Sequence, residues 1–180
     1  LDMTMGLNKI SAFDVLNNLN EKDLKFIIKI LGDEKDAFKI AKNIVEFRNT
    51  KKITYTDDLV KIIKKSKKKK YFNKIDPCTK TFQALRIFIN KEISELINGI
   101  IYATKKLKPG GKLLVVSFHS IEDKIIKYLF STYSKNKSRP SRYFPEKKAS
   151  EIILFNDYRN KVITPSQREL SENNRSRSAK

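Results

Sequence analysis

The sequence has one cysteine, one histidine, no tryptophan, and only five glycines and five prolines among its 180 residues. A single thiol, Cys78, excludes an internal disulfide framework and a zinc site built from cysteines, and it suits a reducing compartment. Five glycines leave no Gly-x-Gly-x-x-Gly run, so this stretch encodes no dinucleotide-type phosphate loop. No apolar run approaches the roughly 18 to 20 residues that a membrane span requires, and the N-terminus lacks the basic-then-apolar pattern of a secretory signal. The expectation is a soluble, cytoplasmic protein without membrane association. Acid is scarce as well: 20 acidic residues face 39 basic ones, a formal charge of +19.

A charge of that size draws polyanions in a salt-dependent way, and nucleic acid is the default partner. Lys dominates the basic set and the chain is rich in Ile and Asn, the composition that an AT-rich coding sequence produces on any solvated surface. Charge alone therefore leaves both readings open. Two clusters, Lys61–Lys74 without an acid and Lys135–Lys148 with a single one, tilt the balance towards RNA or DNA.

Apolar residues between Ser11 and Asn49 recur at helical spacing: Phe13, Leu16 and Leu19, then Leu24, Ile27, Ile28 and Leu31, then Ile40, Ala41, Ile44 and Val45. Start signals precede each group, namely Ser11 with Asp14, Asn20 with Asp23, and Asp33 ahead of Glu34, and they predict three short helices. Thr56-Asp57-Asp58 opens a fourth, carrying Leu59, Ile62 and Ile63 into a charged loop at Lys67–Lys70. The longest periodic stretch, Thr79–Lys106, is either one long helix or two with a kink. Lys108-Pro109-Gly110-Gly111 stops it. The apolar run Lys112–Phe118 then reads as a strand buried on both faces, and Ser120 with Asp123 as the capping box of a helix to about Tyr133. Beyond Ser134 only Ile152–Phe155 and Lys161–Thr164 offer extended pieces, and the polar tail 171–180 is expected to be disordered unless something docks it. One or two strands cannot make a sheet. With Leu1 rather than Met at its start, the chain is expected to be the latter part of a larger α/β sheet joined to a helical module.

Several blocks occur in one order: Leu1-Asp2-Met3-Thr4-Met5, Lys39-Ile40-Ala41-Lys42-Asn43-Ile44-Val45, Pro77-Cys78-Thr79-Lys80-Thr81-Phe82-Gln83-Ala84-Leu85-Arg86-Ile87, Lys108-Pro109-Gly110-Gly111, Ser117-Phe118-His119-Ser120-Ile121-Glu122-Asp123 and Asn174-Arg175-Ser176-Arg177-Ser178-Ala179. Together they resemble the bacterial S-adenosylmethionine-dependent methyltransferases that modify N4 of a cytosine in small-subunit (16S) ribosomal RNA near the decoding centre. The likeness spans essentially the whole chain. It implies an α/β fold: the latter part of a Rossmann-like methyltransferase sheet with an inserted all-helical domain. Residues 1–10 would end the first catalytic segment, 11–91 would form the substrate-recognition insert, 92–170 would resume the catalytic domain, and 171–180 would be a basic tail. The family's cofactor loop and ribose-binding acid have no counterpart here, so S-adenosylmethionine is the implied cofactor while no residue of this segment is assigned to it. Thr4 stands where the family usually has Arg.

Methyl transfer from a sulfonium to an exocyclic amine is an in-line displacement, dominated by positioning. His119, at the carboxyl end of the Lys112–Phe118 strand where open α/β sheets bind ligands, is the leading candidate to line the site, with Ser117 beside it and Asp2 in the opening block. His119 either positions the base or accepts the amine proton; a plain turn residue is the alternative. Ser120 reads as a helix cap. For RNA the candidates are Lys80, Gln83 and Arg86, near one face of the helix opened by Thr79, and the pair Arg175 and Arg177, retained as Arg in a Lys-rich chain. An internal ion pair of Arg86 and a solvated tail are the competing readings. The partner is 16S rRNA or the small subunit, with a homodimer left open. A non-catalytic basic RNA-binding module on the same remnant is the rival function.

Overall fold

The computed structural model describes residues 1–6, 10–67, 76–134, 153–156 and 162–180. These divide into two compact units, Leu1–Ile93 and Ser94–Lys180.

The first unit is helical. Helix α1 (Ala12–Asn18) starts at a complete capping box: Ser11 accepts from the Asp14 N–H, and Asp14 accepts from the Ser11 N–H at 2.9 Å. Helix α2 (Glu21–Gly32) is capped by Asn20, which accepts from the Asp23 N–H at 2.9 Å. Both match the start signals in the sequence. The third does not: α3 (Ala37–Thr50) begins after Asp36, because Asp33 takes a left-handed conformation that closes α2 and Glu34 turns inward. Helix α4 (Thr56–Ser66) buries Leu59, Ile62 and Ile63, as its spacing requires. Lys67, expected in a loose charged loop, instead pairs with the buried Glu34 and donates to the Pro77 carbonyl; residues 68–75 lie outside the described ones.

Helix α5 (Thr79–Ile89) runs along α2, and Gly32 makes that approach close: a Cβ there would lie 2.5 Å from the Lys80 carbonyl oxygen. The periodic stretch 79–106 is two helices. Asn90 and Lys91, the latter at φ 52°, interrupt it before α6 (Glu92–Lys106). The cause is a competing use of Asn90. Its amide accepts from the Met5 N–H at 2.7 Å and donates to the Met3 carbonyl at 2.9 Å, fixing the chain's opening strand of residues beside the end of α5. Leu16, Leu24, Ile28, Ile40, Ile44, Leu59, Ile63 and Leu85 form a fully enclosed core, with Leu1 and Met3 packed on its margin.

In the second unit, the rest of α6 and α7 (Ser120–Thr132) enclose a small cluster of Ile100, Ile126 and Leu129, flanked by Leu113 and Val115. Gly110 supplies the positive φ, 81°, of the turn after α6. Residues 112–118 are extended but do not form the doubly buried strand their composition predicts. Leu113, Val115 and Ser117 are covered, while Leu114, Val116 and Phe118 are 82%, 66% and 57% exposed. A sheet is not shown: among the described residues the one bridge is an isolated parallel pair, Ser134 with Phe155. Phe155 also meets Phe130 edge-on at 5.0 Å. The start of the Ile152–Phe155 strand candidate, Lys161 and the basic cluster 135–148 fall outside the described residues.

The tail departs most from expectation. Helix α8 (Gln167–Glu172), capped by Ser166, leads into a 3-10 helix at Asn174–Ser178 with Ser176 buried. Lys180 and Ser117 then exchange backbone hydrogen bonds of 2.9 and 3.0 Å, an antiparallel pair. Composition made the tail look unstructured; caps and this backbone pairing order it.

Candidate functional sites

Two cavities carry the chemistry-bearing residues. The first, about 380 Å³, belongs to the first unit and is lined by Met3, Met5, Thr79, Phe82, Gln83 and Arg86. Positions 79, 82, 83 and 86 share one face of α5 by their spacing, and Asn90, one turn on, brings the two methionines to it. The walls are apolar and aromatic, and the polar groups are a hydroxyl, an amide and a guanidinium.

Arg86 is held rigidly. Its Nε donates to Glu92 Oε1 at 2.7 Å and one terminal nitrogen to Oε2 at 3.1 Å, the two-pronged arrangement that fixes a guanidinium plane. The internal ion pair is thus real, and it leaves the other terminal nitrogen as a donor. Lys80 does not join this cavity: it donates to the Asp33 carbonyl at 2.8 Å, at the end of α2. Asp2 does not line it either. Its carboxylate accepts from the Thr4 hydroxyl at 2.7 Å, so the residue in the place of the family's usual Arg is tied into a local turn. Cys78 is buried, and burial followed by the neighbouring Asp76 pushes its thiol up, away from nucleophilic chemistry.

In the second unit, His119 rather than Ser120 caps α7. Its backbone is extended and Nδ1 accepts from the Glu122 N–H at 3.4 Å, while Glu122 returns a carboxylate oxygen to the Phe118 N–H at 3.0 Å. The side-chain cap expected at Ser120 therefore sits one residue earlier, without the reciprocal bond to the cap's own N–H that a capping box has. Asp123 is drawn elsewhere, to Lys127 at 2.9 Å and Lys180 at 3.2 Å. Burial alone would raise the Asp123 carboxyl, but these two lysines outweigh it and hold it below the ordinary value. Accepting at Nδ1 assigns the ring proton of neutral His119 to Nε2. That atom lies 3.2 Å from Glu122 Oε1 but at an angle that makes no hydrogen bond, so it is buried without a partner. Ser117 is buried beside it with its backbone committed to Lys180.

The second cavity, about 420 Å³, is lined by Phe118, Asn174, Arg175, Arg177 and Ser178. The structure thus joins the Arg pair to an aromatic residue sixty positions away in sequence. Spacing could not have shown this, since it depends on the Ser117–Lys180 pairing. Nor could it have shown Glu92 as the partner of Arg86, because six residues along a continuous helix would place the two on different faces.

The sequence matches the MraW methylase family over residues 1–180. The chain belongs to that family. Curated relatives named ribosomal RNA small subunit methyltransferase H are 44% identical over 180 residues in Bartonella quintana and Bartonella grahamii, and 40% over 181 in Parvibaculum lavamentivorans. All of this chain is covered in each case, but only 54%, 54% and 53% of the relative, so the chain spans about half the length of the curated relatives it matches. The MraW family's methyl donor needs partners for two ribose hydroxyls, usually a carboxylate. Neither cavity is lined by one. The residues of both fit an electron-rich ring and an anion better than this cofactor. Among the described residues, no helix is long and apolar enough to cross a membrane.

Proposed function

We propose that this chain carries the RNA-recognition module and the latter part of the catalytic domain of a cytoplasmic methyltransferase acting on N4 of a cytosine in 16S rRNA. Residues 11–91 are the inserted module on this reading, and 92–170 the resumed catalytic domain. The observation that carries it is the first cavity. A pyrimidine is flat, apolar on its faces and polar on its edge, and recognition of an unstacked base uses an aromatic or apolar wall with an amide at the Watson–Crick edge. Phe82, Met3 and Met5 supply the wall, Gln83 the amide, and Arg86 a fixed donor.

Support for a Rossmann-like sheet comes from residues 112–118. Their side chains alternate between covered and exposed, as a strand's do, and the exposed face is as apolar as the covered one. S-adenosylmethionine supplies the methyl group in this reading, and its contacts lie outside the two cavities. His119 acts by position in this reading, as the cap that holds the start of α7.

RNA binding tests the first part. The 180-residue chain should bind a single-stranded RNA containing the target cytosine, with affinity falling steeply between roughly 50 and 200 mM salt, and Gln83→Ala should weaken it by about tenfold. Affinity indifferent to salt would contradict it. For the second part, His119→Ala in a protein of the relatives' full length should slow single-turnover methyl transfer modestly and equally across pH. A loss of about a hundredfold, with wild-type activity falling as pH drops, would make the imidazole the proton acceptor instead. RNA binding with no methyl transfer at full length would favour the non-catalytic module.

A further inference from the structure

The first cavity accounts for one base. The second has a different composition and lies in the other unit. Phe118 is 57% exposed and lines this cavity. Its backbone is not free to turn the ring inward: the Phe118 N–H is held by Glu122, and Ser117 on one side is locked to Lys180. Arg175 and Arg177 are exposed, and neither has an acidic partner among the described residues. In a unit where Asp123 takes two lysines at once, unpaired arginines mark a place where no internal anion is provided. Ser176 between them is buried and bonded to Asn173, so the 3-10 helix carrying both arginines is anchored at its centre. Asn174 adds an amide with donor and acceptor character, and Ser178 a hydroxyl. The cavity volume of about 420 Å³ falls in the range of small-molecule pockets.

We propose that Phe118, Arg175 and Arg177 form a single-nucleotide subsite, distinct from the first cavity, in which a base stacks on the Phe118 ring and its phosphate is held by the two guanidinium groups. The proposal rests on RNA being the partner. An aromatic face accepts any base, so the subsite grips the strand without reading its sequence, while planar guanidinium donors match phosphate oxygens. The apolar ring alone would suit a protein partner; two unpaired arginines and no carboxylate in the lining favour a nucleotide.

The test uses the 180-residue chain, a single-stranded RNA pentanucleotide, and the same strand with an abasic centre. Phe118→Leu keeps the apolar volume but removes the π face, and should weaken binding to the intact strand by about tenfold. It should leave abasic binding unchanged, whereas Phe118→Tyr should restore wild-type affinity. Arg175→Gln with Arg177→Gln should weaken both strands and reduce the slope of log affinity against log salt by about 0.7, the value for one phosphate on a single strand. Phe118→Leu with wild-type affinity, or with equal losses on both strands, would overturn the subsite and assign the ring to protein packing. Wild-type chain with no salt-dependent RNA affinity would instead overturn the RNA reading itself. All three substituted positions are exposed, so thermal melts of the variants should superimpose on wild type.

Discussion

The two units spend the same kind of residue differently. In Leu1–Ile93, helices α1 to α5 seal one apolar core, with Leu24, Ile28, Ile40, Ile44, Ile63 and Leu85 at 0% exposure, while Phe26, Ile30, Phe38 and Phe88 lie outside it. In Ser94–Lys180, even the innermost apolar residues, Ile100, Ile126 and Leu129, retain 6–9%, and Leu114, Val116 and Phe118 stand open. Amphipathic helices satisfy one another locally. A strand with two apolar faces requires a layer on each, and among the described residues 112–118 has a layer on one. The first region thus has a closed core, and the second leaves an apolar face of residues 112–118 at the surface.

The contrast is sharpest in truncations to alanine. Leu85→Ala should cost about 2–5 kcal/mol, because the removed atoms come from a sealed core. Val116→Ala, 66% exposed, should stay within about 0.5 kcal/mol. Urea unfolding of the two variants gives both numbers, and a comparable cost at Val116 would erase the distinction between the units.

A smaller effect is expected at the Glu34–Lys67 pair, whose side chains are 4% and 16% exposed. Glu34→Ala leaves a largely buried ammonium with the Pro77 carbonyl alone, and the loss should be about 2–3 kcal/mol. Adding Lys67→Met should recover most of it, since the isolated charge, rather than the missing bond, causes the loss. No recovery in the double variant would place the cost in packing.

The smallest effect concerns acid. Asp123 is held below its ordinary value of 3.8, so the stability it contributes is fully present above that pH and is lost as pH falls through the lower, folded value. Melting temperatures of wild type and Asp123→Asn should run parallel at higher pH and converge only below pH 3.8. Convergence well above that would mean that Lys127 and Lys180 do not favour the carboxylate.

Helices of the first unit were legible because local signals sufficed. Ser11 with Asp14 and Asn20 with Asp23 are caps written within four residues, and the apolar spacing of Leu59, Ile62 and Ile63 names the face that is buried. Spacing allowed one long helix or two with a kink over 79–106, but the place of the break, Asn90, was not legible, since it depends on Met3 and Met5 more than eighty positions away. The same holds for the ordered tail, which rests on Ser117, and for the cavity shared by Phe118 and Arg177. At α7 the pattern misled by one residue: Ser and Asp are the commoner capping pair, yet the His119 ring accepts from the Glu122 N–H while Asp123 answers two lysines. The shift matters for function, because a capping His119 has its Nδ1 occupied and its Nε2 buried beside Glu122.

Residue-resolved amide hydrogen exchange on the 180-residue chain tests most directly whether one unit is closed and the other open. Amides of α2 and α5 around Ile28 and Leu85 should be protected to the level of global unfolding, while those of residues 113–116, which have no backbone acceptor among the described residues, should exchange near the rate of an unprotected chain, with Ser117 slowed by its bond to Lys180. Protection at Leu114 and Val116 equal to that at Ile28 would contradict the account.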